Sequence, residues 1–286
     1  MEKALKIIEC PRDAMQGWHD FIPTSKKIEY QNLLLQCGFD VLDFGSFVSP
    51  KVIPQMRDTA EVLAGLNLSS TQTKLLAIIA NARGANDAVQ FEEIDFLGYP
   101  FSISEEFQKR NTNATIEESL IRLEEIQNLC TKNKKDLVVY LSMGFGNPYG
   151  EKWHPDLVSY WSDRLYNELD INILALSDTI GCANPKLVTD LFDQIIQDLP
   201  DVEFGAHLHT LPENAISLVE AAYESGCRRF DGAIKGFGGC PMAKDDLTGN
   251  MPTERILEYA YSNGVRNEIV KERFIEAEAM TASIFI

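Results

Sequence analysis

The sequence lacks the features that mark several common classes of protein. It has no apolar run long enough to cross a bilayer, and its first residues do not form a signal-peptide pattern. Basic residues are outnumbered, 26 against 43 acidic ones, so the formal net charge is −17. Such an acidic surface argues against nucleic acid or an anionic membrane as a partner. We therefore expect a cytoplasmic protein that acts on a small molecule.

Cysteine pairs are also missing. None of the six cysteines forms a C-x-x-C pair, and a cytosolic setting disfavours disulfides. Five cysteines lie in apolar or helical surroundings and are expected to be small buried side chains: Cys10, Cys37, Cys130, Cys182 and Cys227. Cys240 differs because it follows Gly238 and Gly239, and a thiol on such a loop can be brought onto a bound substrate.

The sequence does contain a regular alternation of apolar and amphipathic segments. Eight short apolar runs are predicted to be strands: Leu5–Glu9, Val41–Phe44, Leu75–Ile79, Ile94–Leu97, Leu137–Met143, Ile173–Leu176, Glu203–His207 and Arg229–Ala233. Helical patterns lie between them: Lys26–Cys37, Thr115–Lys132, Pro155–Leu169, Pro185–Leu199, Pro212–Ser225 and Thr253–Asn263. Strands that alternate with helices predict a parallel sheet buried on both faces, and eight such units close a barrel.

The predicted architecture is an α/β fold, a TIM (β/α)8 barrel, in one catalytic domain over residues 1–286. No linker rich in Pro, Gly or Ser divides the chain, and residues 266–286 are expected to add a small C-terminal helical extension. The alternative is an open doubly wound sheet, but no G-x-G-x-x-G follows the first strand. In TIM barrels the chemistry sits at the C-terminal ends of the strands, so polar residues just after strands are the candidates.

Two of the four histidines stand at the end of the seventh predicted strand. His207 and His209 are two residues apart, so on a strand both side chains face the same way. Two imidazoles on one face are natural ligands for a divalent metal. The alternative is a pair of hydrogen-bonded core histidines. We favour metal because so few histidines occur elsewhere in the chain.

Other polar residues follow other predicted strands. Arg12 and Asp13 come after the first, where they suit an oxyanion stabiliser beside a metal, or else form a surface ion pair. Asp43 ends the second strand and Asp178 follows the sixth; each could orient a metal ligand or be a satisfied polar group, and Asp178 could cap a helix. Asn250 lies beyond the eighth strand, where a lone asparagine would be a turn residue.

These motifs resemble the hydroxymethylglutaryl-CoA lyases of the DRE-TIM metallolyase superfamily, over nearly the whole chain. The landmarks are Pro11-Arg12-Asp13, Ser46-Phe47-Val48-Ser49-Pro50-Lys51 with Pro54-Gln55-Met56, Ser104-Glu105-Glu106-Phe107, Ile116-Glu117-Glu118-Ser119, Asp178-Thr179-Ile180-Gly181, His207-Leu208-His209, Gly238-Gly239-Cys240-Pro241 and Gly249-Asn250. The Ser-Phe-Val-Ser-Pro-Lys stretch and the Gly-Gly-Cys-Pro loop are characteristic of the lyases within that superfamily.

The resemblance implies a divalent-metal-dependent carbon–carbon lyase that cleaves 3-hydroxy-3-methylglutaryl-CoA to acetoacetate and acetyl-CoA, as in leucine degradation and ketone-body metabolism. The implied ligands of the metal, Mg or Mn, are Asp13, His207, His209 and Asn250. The catalytic candidates are Arg12, Cys240, His207 and Asp43, and the substrate-binding candidates are Arg12, Gln16 and Thr179. A homodimer that binds an acyl-CoA is the family-level expectation for assembly and partner.

Several positions depart from the family's pattern, among them Ala14, Met15, Thr210 and a loop after Cys240 that is one residue longer, and three departures bear most on the substrate. Asp43 stands where many lyases have a glutamate, His19 where a lysine is common, and Val138 where an arginine is expected. These changes surround the metal shell without altering it, so they bear on the substrate and not on the metal. The group that accepts the first proton stays open between Cys240 and His207.

Other functions remain open on the sequence alone. One is a Claisen synthase that joins acetyl-CoA to a 2-oxo acid, which would have no need of Cys240. Another is an aldolase acting on a different 3-hydroxy acid or its thioester. A third is a metal- or metabolite-binding barrel without activity, which would predict the loss of a ligand or of the thiol.

Overall fold

The structure, a computed structural model, describes residues 4–239 and 248–285. Eight parallel strands form a closed barrel in chain order, and the last strand pairs with the first. The strands are β1 (Lys6–Glu9), β2 (Val41–Ser46), β3 (Lys74–Ile78), β4 (Phe96–Ser102), β5 (Asp136–Ser142), β6 (Ile173–Asp178), β7 (Glu203–Leu208) and β8 (Arg229–Gly232). The predicted TIM barrel is confirmed, and each predicted strand overlaps an observed one.

Helices surround the barrel. Within the described residues they are α1 (Pro11–Gln16), α2 (Thr24–Leu34), α3 (Thr59–Ala64), α4 (Ala82–Ala88), α5 (Glu105–Thr112), α6 (Ile116–Lys132), α7 (Pro155–Leu169), α8 (Pro185–Asp198), α9 (Ala215–Glu224), α10 (Thr253–Ser262) and α11 (Lys271–Ile284), with 3-10 turns at Pro54–Met56 and Ile234–Gly236. Helix α11 is the predicted C-terminal extension, and it packs on α2. None of the helices in this part of the chain is both long and apolar enough to cross a membrane.

The starts of the long helices follow from local sequence. Thr115 accepts a hydrogen bond from the Glu118 N–H and the Glu118 carboxylate accepts one from the Thr115 N–H, which completes the capping box before α6. Pro155 and Pro185 open α7 and α8, where a missing N–H costs nothing. The predicted start at Pro212 is wrong, because residues 211–214 form a turn before α9.

Strand β4 is the element whose predicted bounds moved furthest. The prediction was Ile94–Leu97, whereas the strand runs from Phe96 to Ser102 and pairs with the whole of β5. Gly98 and Pro100 obscure it in the sequence, because both residues weaken a strand pattern. Parallel pairing on both sides of β4 outweighs that local preference.

The apolar core of the described residues consists of two clusters. A small cluster contains residues from alternate positions of the strands: Ile8, Cys10, Val41, Leu76, Ile78, Val138, Tyr140 and Ala175. A much larger cluster joins the opposite faces of the strands to the helices. Most of the candidate functional side chains lie in the loops and near the strand ends at the C-terminal mouth of the barrel, where TIM barrels carry their chemistry.

Candidate functional site

The turn that follows β1 brings Arg12 and Asp13 into the mouth of the barrel. Helix α1 begins at Pro11, directly after the strand, so both residues lie on a short helix and not on an extended strand end. Arg12 Nη1 donates to Asp13 Oδ1 at 2.9 Å and to Gln16 Oε1 at 3.0 Å. Gln16 Nε2 donates to Asp13 Oδ1 at 2.7 Å. Two side chains of the helix, Arg12 and Gln16, thus bind the same carboxylate oxygen of Asp13, Oδ1.

Asp43 on β2 faces Arg12. Arg12 Nε lies 3.1 Å from Asp43 Oδ1 and 3.0 Å from Oδ2, and Nη2 lies 2.5 Å from Oδ2. Asp43 is completely buried, and burial raises its pKa to about 6 despite the opposing attraction of Arg12. A guanidinium has five N–H donors, so these contacts leave one N–H on Nη2 for a ligand. Sequence reasoning placed Asp43 as a partner of a metal ligand or a water, whereas its contacts are with the arginine.

The two predicted histidines are each oriented by a hydrogen bond at Nδ1. His207 Nδ1 lies 3.1 Å from Asp231 Oδ2, and His209 Nδ1 lies 3.2 Å from the Thr179 carbonyl oxygen. The Nδ1 atom is the donor in both contacts, so the lone pair of each neutral ring is on Nε2. The ring centroids are 5.5 Å apart. Both histidines are therefore prepared to bind through Nε2.

One atom of this pair lacks a hydrogen-bond partner in the described structure. His209 Nε2 is buried and has no hydrogen-bond partner among the described residues. Burial, and then the neighbouring His207, lowers the pKa of His209 to about 4, so its ring is neutral at physiological pH. A buried neutral imidazole nitrogen without a partner is costly unless a ligand uses its lone pair.

A cluster of metal-ligating atoms surrounds that nitrogen. One ligand atom each from Asp13, His207 and His209 lie within 4.8 Å of one another. Asn250 forms an isolated antiparallel bridge with His209, and its Nδ2 donates to the Phe237 carbonyl at 2.9 Å, which leaves its amide oxygen as an acceptor. Two imidazoles with carboxylate and amide oxygens suit a divalent ion such as Mg or Mn. The residues present thus fit a metal centre.

The glycine-rich loop has a defined role in this packing. Gly238 has a φ of +93°, and a Cβ there would lie 2.7 Å from both Asn250 Nδ2 and the Asp13 carbonyl oxygen. A side chain at position 238 would therefore push apart the segments that carry Asp13 and Asn250. Cys240, the predicted catalytic thiol on the same loop, lies outside the described residues.

A cavity of about 350 Å³ opens beside the cluster. Arg12, Asp13, Gln16, Thr179, His207 and His209 form its polar part, and Val48, Val52, Ile53, Ile78, Ala80, Pro100 and Phe107 form most of its apolar part. Thr179 acts through its backbone on His209, while its hydroxyl accepts a hydrogen bond from the Met143 N–H at 2.9 Å. The cavity combines one fixed cation with a largely apolar wall, as small-molecule sites commonly do.

The two departures from the family's basic pattern do not place cations in this cavity. His19 is exposed and pairs with Asp20 at 3.1 Å. Val138 is buried in β5, within the smaller apolar cluster. Arg12 is consequently the one Lys or Arg side chain among the described residues that line the cavity.

Two further expectations are resolved by contacts near β6. Asp178 accepts hydrogen bonds from the Cys182 N–H at 2.9 Å and the Ala183 N–H at 2.8 Å, so it closes a turn and does not face the ligand cluster. The expectation that Cys182 is buried is wrong, because it lies in that turn and is exposed. The other four cysteines with this expectation, Cys10, Cys37, Cys130 and Cys227, are buried.

Sequence reasoning missed Asp231, the partner of His207. Asp231 lies on β8 two residues after Arg229, so both face the same side of the strand. A charged pair on the inward face of a buried strand is unusual, and this alternation was the available signal.

Comparison with known proteins gives a consistent result. The HMGL-like family model matches residues 5–281. The cytoplasmic 3-hydroxy-3-methylglutaryl-CoA lyase of Rattus norvegicus is 31% identical over 276 residues, which cover 96% of this chain and 79% of that protein. The crystal structure of the HMG-CoA lyase from Brucella melitensis superposes with a TM-score of 0.91 at 29% identity, over 99% of both chains. An HMG-CoA lyase from Acinetobacter baumannii, in complex with coenzyme A and 3-methylmalate, gives a TM-score of 0.90 at 30% identity, over 100% of this chain and 93% of that one.

Proposed function

The chain belongs to the HMGL-like family, and from that premise we propose that it is a divalent-metal-dependent carbon–carbon lyase that cleaves 3-hydroxy-3-methylglutaryl-CoA to acetoacetate and acetyl-CoA. The observation that carries the proposal is the convergence of Asp13, His207 and His209 beside Arg12 in one cavity, with His209 Nε2 buried and without a partner in the described part of the chain. A single catalytic domain over residues 1–286, a homodimer and a cytoplasmic location are part of the same proposal.

Asp13, His207, His209 and Asn250 would hold the metal, Mg or Mn. When bound, a divalent ion supplies a Lewis acid that makes a substrate hydroxyl acidic enough to lose its proton near neutral pH. The chain's own part in this step is to fix the four side chains. The Nδ1 bonds of the two histidines and the contacts of Gln16 and Arg12 with Asp13 do so before substrate arrives.

The reaction moves one proton and breaks one bond between carbons. Loss of the C3 hydroxyl proton turns that oxygen into the carbonyl of acetoacetate. The electron pair of the C2–C3 bond passes to the thioester, which leaves as the enolate of acetyl-CoA. A proton added at C2 of the enolate completes the products, so every atom and charge is accounted for.

Arg12 would stabilise the negative charge that develops on the thioester oxygen. Its guanidinium is held by Asp43, Asp13 and Gln16, and the remaining Nη2 N–H is available to that oxygen. Burial opposes its charge, but the carboxylates of Asp43 and Asp13 outweigh burial and raise its pKa. We infer that Asp43 acts through Arg12 as a positioning residue, because it does not line the cavity.

The two proton transfers are assigned to Cys240 and His207. Cys240, which we place here from the sequence alone, would protonate C2 of the enolate or carry the hydroxyl proton. His207 lines the cavity and is the alternative base, although binding a metal would limit its basicity. Gln16 and Thr179, which also line the cavity, would contact the substrate.

A second candidate function is an aldolase reaction on a free 3-hydroxy acid. It is favoured by the charges of the cavity, where Arg12 is the one lining cation in the described residues and is already engaged by two carboxylates. Against it stands the A. baumannii neighbour, which binds coenzyme A with an overall fold that superposes closely.

One assay separates these functions. Purified protein is incubated under reducing conditions with 3-hydroxy-3-methylglutaryl-CoA or the free acid, with Mg²⁺, Mn²⁺ or chelator. The lyase predicts acetyl-CoA and acetoacetate from the thioester alone, and no product with chelator. Cleavage of the free acid at a comparable rate would establish the aldolase. If folded protein gave no product from the thioester with either ion, the lyase assignment would be wrong.

A further inference from the structure

The interior of the barrel beneath the ligand cluster contains a column of polar side chains. Arg229 and Asp231 lie two residues apart on β8 and share one face, and Tyr140 lies on β5. Each is at most 6% exposed. TIM barrel interiors are normally filled by branched apolar residues, so two opposite charges in this layer call for an explanation.

Asp231 is bound to the ligand cluster through His207. The two residues are cross-strand neighbours in the pairing of β7 with β8, and Asp231 Oδ2 lies 3.1 Å from His207 Nδ1. The barrel register thus fixes the separation of the two side chains, and the contact does not depend on a loop. The second carboxylate oxygen of Asp231, Oδ1, is buried without a partner among the described residues.

The lower part of the column has unpaired donors that match this oxygen. Arg229 Nη1 donates to Glu203 Oε1 at 3.3 Å, while its Nε and Nη2 have no partner within the described part of the chain. The Tyr140 hydroxyl is also buried and finds no partner among the described residues, and its ring packs edge-on against His207 with the ring centroids 5.2 Å apart. Buried donors and acceptors that cannot reach one another directly are characteristic sites of internal water.

Glycine on the neighbouring strand leaves the space that Arg229 occupies. A Cβ at Gly205, which pairs with Arg229, would lie 3.0 Å from Arg229 Cδ and 3.2 Å from Cγ. The long side chain therefore runs across the inner wall where β7 has no side chain. Its positive charge supports the Asp231 carboxylate from below, as the raised pKa of Arg229 reflects: burial opposes the charge, but Asp231 outweighs it together with Tyr140 and Glu203.

We propose that Asp231 is a positioning residue for the metal centre. It accepts the Nδ1–H of His207 and so holds the ring in one tautomer and one orientation. In that state Nε2 points to the position where Asp13, His209 and Asn250 would also bind the metal. The buried donors of Arg229 and Tyr140, unpaired among the described residues, supply polar surroundings for that carboxylate. The inference rests on the proposed function for its effect on turnover, but its effect on metal affinity requires no substrate.

An alternative use of Asp231 must be separated from this one. Cys10, His207 and Asp231 also place one ligand atom each within 4.8 Å of one another, so these three could hold an ion of their own. Two observations favour positioning. His207 Nδ1 already has a hydrogen-bond partner in Asp231, and Cys10 Sγ has its contact with the Ile8 carbonyl at 3.8 Å.

The first test measures metal binding without substrate. Metal-free protein is titrated with Mn²⁺ by calorimetry and by electron paramagnetic resonance. Loss of a carboxylate that orients a metal-bound histidine commonly costs about 10- to 100-fold in affinity, and we expect that loss for Asp231→Ala. Asp231→Asn keeps an acceptor for the Nδ1–H and loses the charge, so a smaller loss is expected. It also provides the measurement if the alanine variant does not fold.

Asp40→Asn is the matched control. Asp40 is a carboxylate at the opposite end of the barrel, where it accepts the Ile7 N–H at 2.9 Å. It can destabilise the fold without touching the ligand cluster, so its Mn²⁺ affinity should equal that of the wild type. Wild-type affinity in both Asp231 variants, or an equal loss in Asp40→Asn, would overturn the proposal whether or not the thioester is cleaved.

The second test observes the tautomer of the ring. The chain has four histidines, so ¹⁵N-labelled imidazole signals can be assigned by single substitutions. His207 should carry its proton on Nδ1 in the wild type and on a mixture of both nitrogens in Asp231→Ala. An unchanged tautomer would contradict the proposal. So would a second bound Cd²⁺ with a thiolate absorption band that Cys10→Ser removes, because Asp231 would then be a ligand.

Discussion

Both ends of the barrel carry many charged side chains, but the burial and the pairing of these side chains differ. At the N-terminal end, a cavity of about 650 Å³ is lined by Lys6, Lys74 and Arg229 together with several carboxylates. Lys6 pairs with Glu203 at 2.5 Å, and Lys74 pairs with Asp95 at 2.7 Å, in both cases with side chains open to solvent. At the C-terminal end the cavity is smaller, about 350 Å³, and the charges are buried.

The difference is in what remains unpaired. At the N-terminal rim Lys6 and Lys74 are paired with carboxylates and are open to solvent, and such exposed pairs contribute little. Arg229, which also lines this cavity, is buried and bonds Glu203 through Nη1 alone among the described residues. At the C-terminal mouth three ligand atoms converge on each other, and His209 Nε2 has no partner in the described residues. Cavity size and charge number would therefore select the wrong end of this molecule, whereas convergent atoms without partners select the end where barrel enzymes carry out chemistry.

The largest effect that would test this contrast is expected from His209→Ala. This substitution removes the unpaired nitrogen, so Mn²⁺ affinity should fall by more than about 100-fold, and turnover of the thioester should fall to the assay background. Lys74→Ala at the other end removes an exposed pair and should leave both quantities within about twofold of wild type. Calorimetry with Mn²⁺ and an acetyl-CoA assay measure them. Similar losses in the two variants would erase the distinction between the ends.

The next effect concerns Cys240, whose role rests on the sequence. Cys240→Ser should reduce turnover by about 10²- to 10⁴-fold, the usual contribution of a positioned acid or base, while Mn²⁺ affinity stays near wild type. Cys182→Ser is the control, because Cys182 is an exposed thiol that does not line the catalytic cavity. Equal loss of turnover and metal affinity in Cys240→Ser would assign the thiol a structural role.

Arg12→Met should lower kcat by about 10²- to 10³-fold, as the loss of an oxyanion donor does. The metal ligands are unchanged, so Mn²⁺ affinity should fall much less than in His209→Ala. Lys6→Met removes a cation from the opposite end and should leave kcat unaltered. Steady-state kinetics with the thioester measures both variants. An equal fall of kcat in Arg12→Met and Lys6→Met would mean that Arg12 acts through the overall electrostatic field of the protein and not through a local hydrogen bond.

The last effect is on stability and not on activity, and it distinguishes carboxylates at the two ends by sign. Glu9 at the end of β1 accepts hydrogen bonds from the Ile234 N–H and the Thr253 hydroxyl, and burial raises its pKa to about 8. A raised folded pKa means that its stabilising effect is complete below the ordinary value of 4.5 and is lost as pH rises through 8. Glu9→Gln should remove this decline, on the order of 3 kcal/mol between pH 5 and 8.

Glu203 at the N-terminal end should behave in the opposite way. Burial raises its pKa, but Lys6 and Arg229 outweigh burial and lower it overall. Its contribution is therefore present above the ordinary carboxylate pKa and is lost as pH falls below it. Urea unfolding of Glu9→Gln and Glu203→Gln across pH 3 to 9 should show these two dependences removed separately. A Glu9→Gln curve parallel to wild type between pH 5 and 8 would contradict the assignment.

The fold was accessible from the sequence because its signals are local and repeated. Eight apolar runs such as Ile173–Leu176 alternate with helical patterns such as Thr115–Lys132, and one shifted strand does not change the count of strands. The prediction missed the short helices α1, α3, α4 and α5, each of eight residues or fewer. Helices of that length have weak intrinsic stability and form because they pack on the barrel.

The sequence by itself also determined the shared direction of His207 and His209, because residues two apart on a strand face the same way. The full ligand set with Asp13 and Asn250 came from the resemblance to the lyase family. Only the tertiary structure decided how these residues are held. Asp43 binds Arg12 across 31 positions of the chain, and Asp231 binds His207 across 24. Such contacts depend on strand register and on which acceptor side chain lies nearest to a buried donor. No spacing in one sequence specifies them, because closure of the barrel creates the neighbours.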